Sequence, residues 1–142
     1  MRMVFPNLPV RDVRRSREFF TALGFEFNEQ FSDERTACLV LTDNVSVMLL
    51  EEERFRDFIK GEIADGHATT EVILAISAQS REEVDELAEK AFAAGAREWL
   101  PTLEEGPMYS RSFQDPDGHV WEVLHMDMSQ VPAPAGEQAA GA

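Results

Sequence analysis

Apolar residues recur with a helical period in two stretches, and elsewhere they alternate or cluster in short runs. Val13, Phe19, Phe20 and Leu23 share one helical face, with small Ser16 between them. Asp12 precedes that stretch as an N-cap and Gly24 follows it as a C′ residue, so a helix is predicted over 12–24. Val84, Leu87, Ala88, Ala91 and Phe92 repeat the pattern at i, i+3, i+4, i+7 and i+8. Ser80 and Glu83 stand ahead of them at capping-box spacing, and Gly95 closes the stretch. Strand-like runs precede the helices at 4–10 and 71–77 and follow them at 25–31, 36–41, 45–50, 97–103, 108–114 and 119–126. Turn residues 42–44 and 115–118 join the last two runs of each half. The order is β-α-β-β-β, twice. It predicts an α+β fold of two βαβββ modules, 1–51 and 69–128, whose sheets curve around a cleft, with a connector at 52–68. Residues 129–142 are rich in Pro, Ala and Gly without apolar period, and are expected to be a disordered tail.

The 142 residues carry 13 basic and 27 acidic side chains, a net charge of −14. That balance argues against nucleic acid and against anionic membrane surfaces, both of which call for a cationic face. No run approaches membrane-spanning length, the first ten residues are broken by Pro6 and Pro9, and the single cysteine, Cys38, lies in an apolar run. Cytoplasmic localisation and a buried, unreactive Cys38 are the expectations. No glycine-rich phosphate loop, nucleophile elbow or paired-cysteine metal site is present.

Two strings carry a family resemblance: LPVRDVRRSREFFTALGF (8–25) and FQDPDGHVWEV (113–123). Placed in the two halves of a doubled βαβββ order, they resemble the glyoxalase/bleomycin-resistance/extradiol-dioxygenase proteins, the vicinal oxygen chelate superfamily, over the chain up to about residue 127. Some members of that superfamily are metal-dependent lyases, isomerases, epimerases or dioxygenases; others only bind and sequester a drug. The resemblance implies a homodimer, a small organic ligand and metal-ligand positions on the first and last strands of each half. Carried onto this chain, those positions fall on Glu122, on Glu71, on Phe5 and within the apolar run 47–50. Two of the four therefore offer no metal ligand, and Asn7, two residues beyond Phe5, is a weak substitute.

Glu71 and Glu122 each interrupt an apolar strand, where a carboxylate is costly unless paired, protonated or metal-bound. If both face one cleft, they either hold a divalent metal ion, or act without metal, Glu122 as proton acceptor or both together as counter-charge to a cationic ligand. Phe5, Asn7, Met48, Leu50, Trp99, Tyr109 and Arg111 are the candidate lining of an organic pocket, with Arg111 able to clamp an anionic group. His67, His119 and His125 read as structural or surface residues. Three functions stay open: a small-molecule binder with no essential metal, a metal-dependent glyoxalase-like lyase/isomerase or dioxygenase, and a structural or interaction domain.

Overall fold

The computed structural model describes residues 1–134. Its first module runs β1 (Asn7–Val10), α1 (Val13–Ala22), β2 (Glu26–Phe27), β3 (Thr36–Val40) and β4 (Ser46–Glu51). The second runs β5 (Ile73–Ser77), α3 (Arg81–Ala93), β6 (Arg97–Glu98), β7 (Leu103–Glu105), β8 (Met108–Gln114) and β9 (Val120–Met126). A short helix, α2 (Glu52–Phe55), opens the connector. The strand order is β1-β4-β3-β2 in one sheet and β5-β9-β8-β6 in the other, with β7 also on β8. In each sheet the first strand lies parallel to the last, and the remaining pairs are antiparallel. This is the α+β class with two βαβββ modules that the pattern predicts.

Both helices begin where their caps predict. The Asp12 carboxylate accepts the Arg14 and Arg15 N–H groups, and the Ser80 hydroxyl accepts that of Glu83. The Glu83 carboxylate reaches back to the Gln79 N–H at 2.7 Å. Gly24 and Gly95 adopt φ of 98° and 104°, which a side chain would resist.

Several strands are shorter than predicted: β1 and β5 start late, at Asn7 and Ile73, and two runs are cut by local chemistry. The run 25–31 pairs only at Glu26–Phe27, because the Asn28 side chain accepts the Gln30 N–H and starts a 3₁₀ turn over Glu29–Phe31. The run 97–103 is split around Pro101, which has no N–H to give a ladder. Of the expected tail, Met128–Gln130 forms another 3₁₀ turn, while 135–142 lies outside the described residues.

The core lies between the two sheets. Leu8, Val10, Ala37, Leu39, Val47 and Leu49 from the first sheet join Phe113, Trp121 and Val123 from the second in one buried cluster. Helix α1 is wedged between them: the Phe20 ring lies 5.1 Å from that of Trp121, and Phe19 lies 6.2 Å from Phe113. Burying each such aromatic side chain contributes about 2–3 kcal/mol. The turn 115–118 fastens the modules at one end. Asp117 accepts the Arg11 N–H at 2.9 Å and an Arg15 guanidinium N–H at 3.0 Å, and His119 Nε2 meets the Pro9 carbonyl at 2.6 Å. The connector presses on the same turn. A Cβ on Gly118 would lie 2.7 Å from the Gly66 carbonyl carbon, so only glycine permits this approach.

Candidate functional site

Strand alternation decides which side chains are available for function. In β9, Trp121 and Val123 enter the core, so Val120, Glu122, Leu124 and Met126 project from the opposite, open face. The register sets Glu122 between Ala75 of β5 and Ser112 of β8, and Leu124 between Ser77 and Ser110. Ile73 and Leu103 share this face, and Ile73 is 56% exposed. At the rim, the Leu100 N–H donates to the Ser112 hydroxyl; the Trp99 N–H donates to the Ser112 carbonyl, and both side chains are exposed. Glu122 is half-buried and has neither an ion pair nor a hydrogen bond among the described residues.

In the first sheet the face turned from the core is exposed only toward β1, at Asn7 and in part at Pro9 and Met48, while Thr36, Cys38 and Leu50 are buried. Asn7 lies level with Met48, and Pro9 with Leu50, opposite to core residues Leu8, Leu49 and Val10. Phe5 continues the same parity and is exposed, with its carbonyl accepting from the Asn7 amide at 2.7 Å. The sequence candidates thus fall into groups: Phe5, Asn7, Met48 and Leu50 on the first sheet, Glu122 on the second, with Trp99 at its edge. The sheets share a core through their other faces, and at one end Asn7 and Pro9 of the first sheet line a single crevice with Val120 of the second.

Glu71 and Glu122 do not meet. Glu71 lies ahead of β5, and the β5–β9 register continued back to it brings it level with Gly118. Four residues along a strand is about 13 Å. Glu71 instead lines a crevice of about 450 Å³ with Asn7, Phe55, Ile59 and His119, beneath the connector.

Tyr109 and Arg111 occupy the helix-covered face, opposite to Glu122, because they pair with His125 and Val123 while Ser112 pairs with Glu122. The Tyr109 hydroxyl donates to Asp85 of α3 at 2.6 Å, and Arg111 bonds Asp85 at 3.2 Å and Glu89 at 2.9 Å. Hydrogen bonding to Asp85, with burial, raises the Tyr109 pKa. Burial opposes the charge of Arg111, but Glu89 and Asp85 outweigh it and raise its pKa. Arg111 is therefore neutralised by α3 and not offered to an anionic ligand. His125 bonds the Ala78 carbonyl and His67 sits against the β8–β9 turn, both structural positions. Sequence reading missed Ser110, Ser112, Ile73 and Leu103; their parity with Glu122 was the available signal once the register was known.

The first 40 or so residues match a known family: residues 2–41 fit the description "Bleomycin resistance protein-like N-terminal". Solved structures match nearly the whole chain. A hypothetical protein from S. aureus is 26% identical, with a TM-score of 0.76 over 88% of this chain and 94% of that one. A glyoxalase/bleomycin resistance protein/dioxygenase family enzyme from Burkholderia phytofirmans is 20% identical, with a TM-score of 0.73 over 89% and 99%. This is the vicinal oxygen chelate fold. The superfamily expected from the sequence is thus supported by an N-terminal match and by the fold of the whole chain. No curated protein matches the chain by sequence. Another vicinal oxygen chelate structure, the fosfomycin resistance protein FosX from Listeria monocytogenes, is 20% identical, with a TM-score of 0.65 over 90% of this chain and 92% of that one, and is complexed with Mn(II) and sulfate.

The donor set of this chain does not fit such an ion. Among the described residues no group of three or more His, Cys, Asp or Glu could hold a metal. Glu122 has Ala75 and Ser112 as its cross-strand neighbours, and the first sheet offers Asn7, Pro9, Met48 and Leu50. One carboxylate is too few for a resident divalent cation.

Proposed function

We propose that this protein binds a small organic molecule on the open face of its second sheet, without an essential metal, in a cleft completed by a second copy of the chain. One observation supports this above the rest: an exposed apolar sheet face surrounds a single unpaired carboxylate, Glu122. Exposed Ile73, Leu100 and Leu103 supply contact area, and half-buried Glu122 supplies the polar group that fixes orientation. The exposed apolar residues of the second sheet support a homodimer. Within one chain Asn7 and Pro9 of the first sheet meet only the Val120 end of the second, whereas the first sheet of a second copy, with Phe5, Asn7 and Met48, can close over the Glu122 region. Leaving an apolar face of this kind in water is unfavourable.

Glu122 serves here as an orienting acceptor and counter-charge. The metal-dependent lyase, isomerase or dioxygenase reading lacks a donor set. No helix among the described residues is long and apolar enough to cross a membrane.

The reading is tested on the untagged protein in two measurements. Sedimentation equilibrium should give a dimer, and metal analysis after dialysis should give far less than one divalent ion per chain. A stoichiometric ion that is lost in Glu122→Ala would replace the binder with a metalloenzyme, and a monomer at all concentrations would remove the composite cleft.

A further inference from the structure

From the charges that face the open side of the second sheet, we infer that the ligand is an organic cation: a protonated amine or quaternary nitrogen on an apolar, preferably aromatic body. This rests on the binding reading above and narrows it.

The charge inventory on that face is one-sided. β5 contributes Ile73, Ala75 and Ser77, and β8 contributes Met108, Ser110, Ser112 and Gln114. β9 contributes Glu122, and β7 contributes Glu105, which lies level with Met108. The one basic residue on these strands with the same parity is Arg97, level with Gln114 at the far edge. It stands two strands from β9, about 10 Å across the sheet, and makes no ion pair with Glu122. On the corresponding face of the first sheet Asn7, Pro9 and Met48 are at least partly exposed and Leu50, Cys38 and Thr36 are buried, none of them cationic.

Nine of the thirteen basic residues are committed to acidic partners other than Glu122, while Arg2, Arg14, Lys60 and Arg97 make no ion pair among the described residues, and of these only Arg97 lies on a strand of the second sheet. Arg11, Arg15, Arg17, Arg35, Arg54, Arg56, Arg81, Lys90 and Arg111 all hold acidic partners away from this face. Arg111 is the informative case. It sits one residue from Ser112 in β8, yet alternation sends it through the sheet to α3. A half-buried carboxylate left without a partner in apolar surroundings is unfavourable until a cation reaches it, and the Ser112 hydroxyl beside it adds a neutral acceptor. An anionic ligand would meet Glu122 and Glu105 with nothing to offset them. The net charge of −14 extends the same preference into solution, raising the rate at which cations arrive.

Three probes of one shape separate the possibilities: 1-naphthylmethylamine, which is cationic at neutral pH, 1-naphthalenemethanol, which is neutral, and 1-naphthoate, which is anionic. Calorimetric titration of the full chain should rank them in that order. The amine should bind about tenfold or more tightly than the alcohol, the range expected for a hydrogen bond to a charged group. Rising salt should weaken the amine alone. Glu122→Gln should bring amine and alcohol within about twofold of each other, chiefly by weakening the amine. Equal binding of amine and alcohol by the unaltered protein overturns the cationic class but leaves the binding face standing. Absence of binding by all three overturns the binding face and this inference with it. Should Glu122→Gln fail to fold, the salt dependence of the unaltered protein decides between the first two outcomes.

Discussion

Asp117 is 5% exposed in its side chain and accepts both the Arg11 N–H and the Arg15 guanidinium, so one carboxylate ties the second module to the start of the first helix. Asp115 supports it from beneath, accepting the Asp117 and His119 N–H groups and the Trp121 indole N–H. Burial raises the Asp115 pKa, opposed by His119, Trp121 and the Asp117 N–H. An acid whose pKa is higher folded than unfolded contributes stability that is fully present below the unfolded value and is lost as pH rises through the folded value. Asp117→Ala leaves an N–H and a guanidinium without their acceptor and should lower unfolding stability by about 2–3 kcal/mol in urea titration. An unchanged midpoint would show that the modules are held by apolar contact alone. The string DPDG was legible as a turn, and within the longer string as a family mark. Its work as a fastener was not, because Arg15 and Asp117 stand 102 positions apart in sequence. Glu122 was legible for the opposite reason: a carboxylate in an apolar strand is conspicuous in the letters alone.

The helices could be read from their caps, because a cap bonds within three residues and its chemistry is local. Strand limits were less legible, since Asn28 and Pro101 end pairing through local chemistry that an apolar pattern overrides by eye. Periodicity showed that Tyr109 and Arg111 share a face. That they face α3 depends on the pairing of Ser112 with Glu122, a register fixed only when β8 meets β9. The same holds for Glu71, whose level along β9 follows from the Ala75–Glu122 pairing. Helix α1 is the element on which both sheets depend. Phe20, 1% exposed, packs on Trp121 of the second sheet from a helix of the first module. Phe20→Ala should cost about 3–5 kcal/mol and lower the melting of both modules together in one calorimetric transition. Two separated transitions would mean that the modules fold independently.

At the scale of the whole molecule, the fold spends its helices and aromatic residues on a core between two sheets and leaves the outer face of the second sheet exposed at Ile73, Ala75 and Ser77 and that of the first at Asn7. That choice could not be seen in the sequence: alternation says which residues travel together, not which face of a sheet its neighbour will cover. It determines where a ligand can go. Amide chemical shifts of the isotope-labelled protein, recorded while 1-naphthylmethylamine is added, test this most directly. The account predicts that the shifts concentrate at Ile73, Ala75, Ser112, Glu122 and Leu124. Shifts concentrated instead at Tyr109, Arg111 and His125 on the α3 side, or at Asn7, Ile59 and Glu71 in the crevice beneath the connector, would contradict it.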